Sequence, residues 1–297
     1  MSKILVVGSI NMDLTIETER MLKLGETISG KNFKTLAGGK GANQAVAASR
    51  LGGDVKFLGA VGEDSYGKEL LENLENENIK FEGSVLEGTT TGIAVITVCG
   101  GDNCIILDGG ANMKITPDTV RAKRCLFEWA DFVVFQLEIP LDTVLCGAKL
   151  ARECGAKVVL NPAPAQNLPD EIYKNTDIII PNETEAEIIT GIAIKDKNDC
   201  EKAVSELRSR GVEQVIITLG DKGCVYNKES EIIFKDPIET TVVDTTAAGD
   251  SFIGSVCVAL GNGKTIDEAA DYATKVSSIT VSRRGASVSI PYANEIE

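Results

Sequence analysis

The sequence contains no histidine. Zinc sites built from cysteine and histidine, and catalytic triads that rely on an imidazole base, are therefore excluded. Its cysteines, at 99, 104, 125, 146, 154, 200, 224 and 257, include no C-x-x-C pair. Most lie in apolar runs, so buried free thiols are expected. Positive charge is scarce: 30 Lys and Arg stand against 44 Asp and Glu, a formal net charge of −14. Nucleic acids and anionic membrane surfaces call for basic patches and are not expected partners. No apolar run approaches the ~20 residues of a membrane-spanning helix. The opening Met-Ser-Lys-Ile-Leu-Val-Val enters a strand at once and has no secretory pattern, so a reducing, cytoplasmic location is expected. Neither the Walker A spacing nor the G-x-G-x-x-G fingerprint is present. Linkers, low-complexity segments and internal repeats are also absent.

What is present is a core of ordinary size with repeated strand–helix alternation. The 297 residues are 43% hydrophobic and 25% charged, which suits a folded chain with ample interior. Residues 4–8, Ile-Leu-Val-Val-Gly, read as a strand buried on both faces. Further strands are expected at Val55–Val61, Phe132–Leu137, Lys157–Leu160, Ile178–Ile180 and Gln214–Leu219. Helices are expected at Gln44–Leu51, Tyr66–Glu77, Leu141–Cys154, from Asn182, at Asp199–Arg210, and from Ile266 to Ser282. This rhythm predicts a mostly parallel sheet covered by helices on both faces. Two β-rich segments, about 11–36 and 89–108, interrupt it and read as a small projecting sheet or lid. The second is marked by Gly100-Gly101-Asp102-Asn103, a hairpin signal. Another hairpin is expected from Gly223–Asn227 and Glu231–Lys235. One compact domain carrying a β appendage is the expected organisation.

The stretch Asp244-Thr-Thr-Ala-Ala-Gly-Asp-Ser-Phe252 is the focus of the chain. The β-branched run Glu239–Val243 before it reads as a strand, and Phe252–Leu260 after it as a buried helix. Ala247, Ala248 and Gly249 then occupy a helix N-terminus, whose free N–H groups attract phosphate. Asp250 lies in the same turn. It is either a base beside an anion site or simply a favourable first-turn acid.

Gly38-Gly-Lys-Gly-Ala-Asn43 would let backbone pass close to a ligand, with Lys40 and Asn43 as donors. A tight turn accounts for two of the glycines but less well for the Lys and Asn. Asn11 and Asp13 alternate after the first strand and so share a side. Glu138 follows the strand Phe132–Leu137 at its carboxyl end, where open α/β sheets bind ligands. Plain polar turns explain both observations as well. Asn182-Glu-Thr-Glu185 opens a helix with acids that the dipole alone would favour, or that could serve magnesium and phosphate. Thr218-Leu-Gly-Asp-Lys-Gly223 ends a strand in a glycine turn that either borders a nucleotide or closes a hairpin. Gly285, in Ser282-Arg-Arg-Gly-Ala-Ser-Val-Ser289, reads as the C-cap of the last helix.

In chain order, Gly8-Ser-Ile-Asn-Met-Asp13, Gly38-Gly-Lys-Gly-Ala-Asn43, Asn182-Glu-Thr-Glu185, Thr218-Leu-Gly220, Asp244-Thr-Thr-Ala-Ala-Gly-Asp250 and Arg284-Gly285-Ala286 resemble the ribokinase family of carbohydrate kinases. The resemblance spans nearly the whole chain. It implies a three-layer α/β sandwich with a β-sheet lid that often forms the contact of a homodimer. The implied activity is ATP-dependent, Mg²⁺-requiring phosphorylation of D-ribose at its 5-hydroxyl, stimulated by K⁺. Asp250 would be the general base, and the Ala247, Ala248 and Gly249 amides the anion hole. Asn11, Asp13, Gly39, Lys40, Gly41, Ala42, Asn43, Glu138 and Asp250 would hold the sugar. Asn182, Thr218, Leu219, Gly220, Asp221, Lys222, Gly223 and Gly249 would border ATP, and Glu185 would assist magnesium through water. Asp244, Thr246, Thr280, Arg283, Gly285 and Ser289 would line a monovalent-cation site. The chain departs from the pattern at Ala273, where a polar residue often lies beside adenine. It also lacks the usual prolines in Arg20-Met-Leu-Lys-Leu-Gly25. Deoxyribose, fructose or a nucleoside are alternative acceptors, and a non-catalytic sugar-binding protein is a third alternative.

Overall fold

A computed structural model describes residues 1–100 and 102–296. Its main sheet has nine strands. Taken from one edge, their order is Glu231–Lys235, Cys224–Lys228, Gln214–Thr218, Ile178–Ile179, Lys157–Leu160, Phe132–Phe135, Lys3–Val7, Asp54–Leu58 and Lys80–Phe81. Every neighbouring pair is parallel except those formed by the Cys224–Lys228/Glu231–Lys235 hairpin. The continuous apolar run of the first strand follows from burial on both faces. Leu5 and Val7 pack into one core cluster, Ile4 and Val6 into the other.

The two β-rich interruptions form a separate four-stranded sheet, ordered Lys31–Gly38, Asn11–Glu17, Gly92–Cys99, Asp102–Asp108. Asn11–Glu17 leaves the strand Lys3–Val7 after only Gly8-Ser9-Ile10, so this second sheet grows directly from an interior strand of the main one. The turn expected at 100–103 includes Gly101, which lies outside the described residues. Its flanking strands pair antiparallel, as a hairpin requires.

Two helices bring the site together. Helix Lys40–Arg50 starts at Gly39, whose φ of 92° puts it in the region that favours glycine. It packs against helix Ala248–Gly261. Gly254 makes the close crossing possible, because a Cβ there would lie 2.7 Å from the Ala47 Cβ and 2.9 Å from the Ala48 nitrogen. The crossing sets the first turns of the two helices side by side.

Several local expectations need correction. Glu239–Val243 is not a strand. The sheet already ends at Glu231–Lys235, so this β-branched run meets no partner, and Val242 and Val243 are exposed. β-propensity reflects packing on a pleated surface, and there is none here. Instead, the Val243 and Asp244 N–H groups both donate to the Val281 carbonyl. Val55–Val61 is interrupted at Gly59, giving strands Asp54–Leu58 and Ala60–Gly62. The last helix ends at Val281 with Ser282 as cap, so Gly285 is not its C-cap but a loop residue at φ 101°. Short helices at Pro117–Ala122, Arg124–Trp129 and Asp170–Lys174 were not foreseen. All the cysteines are free, but only Cys200, Cys224 and Cys257 are buried, while Cys104 and Cys125 are exposed. No helix among the described residues is long and apolar enough to cross a membrane.

Candidate active site

Asp250 is buried in the first turn of helix Ala248–Gly261. Ala247 precedes that helix in the left-handed region, at φ 61°. This conformation costs energy for a residue with a Cβ, and the turn is tied down accordingly. The Ala248 carbonyl accepts from the hydroxyls of Ser251 (2.9 Å) and Ser277 (3.1 Å). The Ala248 N–H donates to the Thr245 carbonyl at 3.2 Å. Gly249 is exposed, and a Cβ on it would meet nothing within 4 Å. Open space therefore lies directly in front of the turn.

Both oxygens of Asp250 accept hydrogen bonds from the neighbouring helix. Asn43 Nδ2 donates to Oδ2 at 3.1 Å and Gln44 Nε2 to Oδ1 at 3.0 Å. Burial pushes the Asp250 carboxyl above its ordinary value, against the pull of Lys40 and of these two amides. The side-chain oxygen of Asn43, Oδ1, is buried without a partner. A buried unpartnered acceptor is costly unless something fills the space beside it.

Glu138 forms the opposite wall. Its Oε2 accepts from Ser9 Oγ (2.5 Å), the Lys40 N–H (3.4 Å) and Asn11 Nδ2 (3.5 Å). Asp13 is buried on the lid strand and raised from 3.8 to about 7 by burial first, then by the charges of Glu138 and Asp250, with Lys40 opposing. For Lys40, burial works against the charged form. Asp250, Glu138, Glu185 and Asp13 together outweigh it and hold the ammonium above its usual value. One half-buried cation thus faces several carboxylates across a polar cavity. Asn11, Asp13, Gly39, Lys40, Asn43, Glu138 and Asp250 meet here.

Gly41 and Ala42 serve a different purpose. A Cβ on Gly41 would lie 2.8 Å from both the nitrogen and the carbonyl oxygen of Ser9. The Ala42 N–H donates to that carbonyl at 2.9 Å, and the Ala42 side chain is core. These two residues dock the helix onto the first strand and are not sugar ligands by their side chains.

The predicted nucleotide residues lie on two adjoining loops. Asn182 caps helix Glu183–Thr190 in a reciprocal box, its Oδ1 accepting from the Glu185 N–H (2.8 Å) while Glu185 Oε2 accepts from the Asn182 N–H (2.9 Å). Asn182 also forms a parallel β-bridge with Thr218. Gly220–Lys222 form one 3₁₀ turn, in which Gly220, Asp221 and Lys222 are exposed. Lys222 pairs with Glu183 at 3.0 Å. Leu219 is buried in the core and its N–H donates to the Gly223 carbonyl, so neither its side chain nor its N–H faces a ligand. Burial raises the Glu185 carboxyl, with the Asn182 N–H and Lys40 opposing. Ala273 is fully buried.

Asp244 joins two further loops. Its Oδ1 accepts from the Thr246 N–H (2.9 Å) and hydroxyl (2.6 Å), and its Oδ2 from the Gly285 N–H (3.0 Å). Burial opposes ionisation, but these donors outweigh it and hold the carboxyl below its usual range. Thr280 and Ser289 are buried nearby in sequence, each with its hydroxyl donating to a backbone carbonyl. Arg283 pairs with Glu295 at 2.6 Å.

A family model described as pfkB family carbohydrate kinase matches residues 1–293. The chain belongs to the pfkB family of carbohydrate kinases. It is 41% identical over 292 residues to ribokinase of Haemophilus influenzae, covering 98% of this chain and 95% of that protein. It is 37% identical over 298 residues to ribokinase of Bacillus subtilis, covering 100% and 99%. Among solved structures, Arabidopsis thaliana ribokinase complexed with ribose and ATP superposes with a TM-score of 0.91 at 35% identity, over 100% of this chain and 98% of that one. The ribokinase-like α/β fold, with its mostly parallel sheet and smaller second sheet, is shared with these relatives.

Within this family frame, several polar residues of the site were not singled out from the sequence. Ser9, Gln44, Asn112, Gln136 and Asn161 are all buried around the cavity. Asn112 clamps the Ile10 peptide on both sides, accepting its N–H at 3.0 Å and donating to its carbonyl at 3.2 Å. It also donates to Asn11 Oδ1 at 2.7 Å. Asn161 follows an apolar strand at its carboxyl end, the same signal that marked Glu138, and was within reach of that reasoning. Asn112 sits in a loop with no such signal.

Proposed function

We propose that this carbohydrate kinase transfers the γ-phosphoryl group of ATP to the 5-hydroxyl of D-ribose, giving D-ribose 5-phosphate and ADP. The observation that carries the reading is Asp250, a buried carboxylate in the first turn of an open-fronted helix, beside an unpartnered Asn43 Oδ1. The sugar occupies the cavity between Asp13 and Asn11 on one side and Lys40, Asn43 and Glu138 on the other. Its hydroxyls supply the donor that Asn43 Oδ1 lacks. Asp250 takes the proton of the attacking hydroxyl as the new O–P bond forms. The Ala247–Gly249 amides meet the charge that develops on the transferring group, with Ala248 exchanging the Thr245 carbonyl for a phosphoryl oxygen. The solved Arabidopsis relative binds ribose and ATP, which supports this pair of substrates.

Magnesium enters with ATP and neutralises phosphate charge. Glu185 uses Oε2 in its capping box and keeps Oε1 for a metal-bound water. Among the described residues no group of three metal-ligating side chains stands together, which suits an ion carried mainly by the nucleotide. Asp244, an ionised carboxylate ringed by loop backbone, suits a singly charged ion such as K⁺. We also take the second sheet as a lid on a single domain. Its face bearing Leu14, Val95 and Ile106, two of them exposed, fits a homodimer contact. ADP release measured over ribose, deoxyribose, fructose and nucleosides, with ATP and Mg²⁺, tests the reading. Preference for ribose is expected; absence of ribose turnover would overturn it.

A further inference from the structure

A line of three buried amides runs behind the base. Asn161 Nδ2 donates to the Ile180 backbone carbonyl at 3.2 Å, an acceptor that cannot reverse. Asn161 Oδ1 must then face Gln44, whose Nε2 donates to it at 3.2 Å and to Asp250 Oδ1 at 3.0 Å. Gln44 Oε1 is turned the other way and accepts from Gln136 Nε2 at 2.6 Å. Gln136 Oε1 is left at the end of the line, buried and without a partner. It points into the gap left by two glycines, since a Cβ on Gly8 would lie 1.8 Å from it and one on Gly41 3.0 Å. Polarity therefore propagates from one backbone carbonyl, and the unsatisfied atom is placed as far from Asp250 as the line allows. Reversing Gln44 would set its carbonyl oxygen against two acceptors, Asp250 and Asn161.

We propose that Gln44 is a positioning residue for phosphoryl transfer, held by Gln136 and Asn161 in the one orientation that gives Asp250 a donor rather than an acceptor. Gln44 does not reach the substrate. It fixes the carboxylate plane and favours the ionised form that takes the proton. The inference rests on Asp250 being the base. The charged groups acting on Asp250 are Lys40 from the same helix as Gln44, Asp13 from the lid strand and Glu185 from helix Glu183–Thr190. None of them changes when Gln44 is substituted.

The test is the pH dependence of kcat at saturating ribose, a condition in which Asp13 is engaged by the sugar. Losing the donor disfavours the carboxylate, so the acid limb should move upward. Gln44→Met removes the donor, and Gln44→Glu places a second carboxyl against Asp250, whose charge opposes the ionised base. The expected order of the limb is wild type, then Gln44→Met, then Gln44→Glu, with the last displaced by at least one pH unit. Gln136→Met does not touch Asp250 but removes the donor that holds Gln44 Oε1, so it should free that amide to turn over and displace the limb in the same direction. This second variant decides the matter if Gln44→Glu fails to fold. A limb that stays in place in the folded variants, even with reduced kcat, would mean that Gln44 is packing only. If Asp250→Asn retains near-normal kcat, the base assignment fails first, and the two failures are thereby distinguished.

Discussion

The Gly285 N–H donates to Asp244 Oδ2 at 3.0 Å across 41 positions of sequence. This bond ties the loop ahead of helix Ala248–Gly261 to the loop after the last helix. The Thr246 donors on the other oxygen extend the tie to within one residue of Ala247. An ion bound at Asp244 would therefore act on the anion hole through a few covalent bonds. Asp244→Ala is expected to abolish saturable activation by K⁺, and to lower kcat by about 10²–10³-fold if the loop loses one oxyanion donor. Rates against KCl at constant ionic strength check this. An unchanged activation curve would dismiss the site.

Replacing the base should act on chemistry and leave binding intact. Asp250→Asn keeps the shape and can still meet Gln44 and Asn43 after an amide rotation. A drop in kcat of about 10²–10⁴-fold is expected, the usual worth of general base catalysis, with ribose affinity by calorimetry within a few-fold of wild type. Near-normal turnover would remove Asp250 from the mechanism.

Two glycines of the small-residue stretches should behave oppositely on substitution. Gly41→Ala forces a methyl against the Ser9 backbone at 2.8 Å, and overpacking of this kind costs about 1–3 kcal/mol. Its melting temperature should fall. Gly249→Ala meets nothing within 4 Å, so the fold should hold while the methyl obstructs the approach of the phosphoryl group. Thermal melts alongside kcat measurements separate the two, and loss of stability in Gly249→Ala would argue against an open anion hole.

Burial of Asp13 predicts a pH-dependent stability. Its carboxyl titrates at about 7 in the folded chain against 3.8 for the ordinary group. Between those values the folded protein binds more protons than the unfolded one, so the wild type loses stability as pH rises through the window. Asp13→Asn removes that penalty. Without ligands it should be more stable than wild type at pH 8, by at most on the order of 4 kcal/mol. The gain should vanish below about pH 4. Denaturant midpoints across the range measure it, and a variant no more stable at pH 8 would show that Lys40 already compensates the charge.

The layered fold was readable because strand and helix rhythms are strong where both faces are buried, as in Lys3–Val7 and Lys157–Leu160. The second sheet was readable because its strands break that rhythm. Glu239–Val243 misled because its four β-branched residues, Thr240 to Val243, carry no information about whether a sheet edge is near. For the site, the ordered motifs pointed to Asp250 and Asn43 and a strand end to Glu138, and the fold brings all three around Lys40 and its helix. The same motifs could not separate ligand-facing glycines from packing ones, since Gly41 depends on how close Ser9 comes from a distant strand. The amides of Gln44, Gln136 and Asn161 were hidden for a related reason. Their meaning lies in which partner each faces, and that is fixed by a backbone carbonyl at Ile180 far away in sequence.

The short passage Gly8-Ser9-Ile10 between the core sheet and the second sheet has a consequence for fidelity. Asn11 and Asp13 ride on one side of it, and Lys40, Asn43, Glu138 and Asp250 belong to the other. A sugar that contacted both sets would pull on both sheets, and would shift their relative placement only by the difference in its affinity for the two arrangements. Water, which fits the cavity but cannot span it, offers no such pull. On the proposed reading, only an acceptor large enough to bridge the gap would exert it, which would disfavour transfer to water.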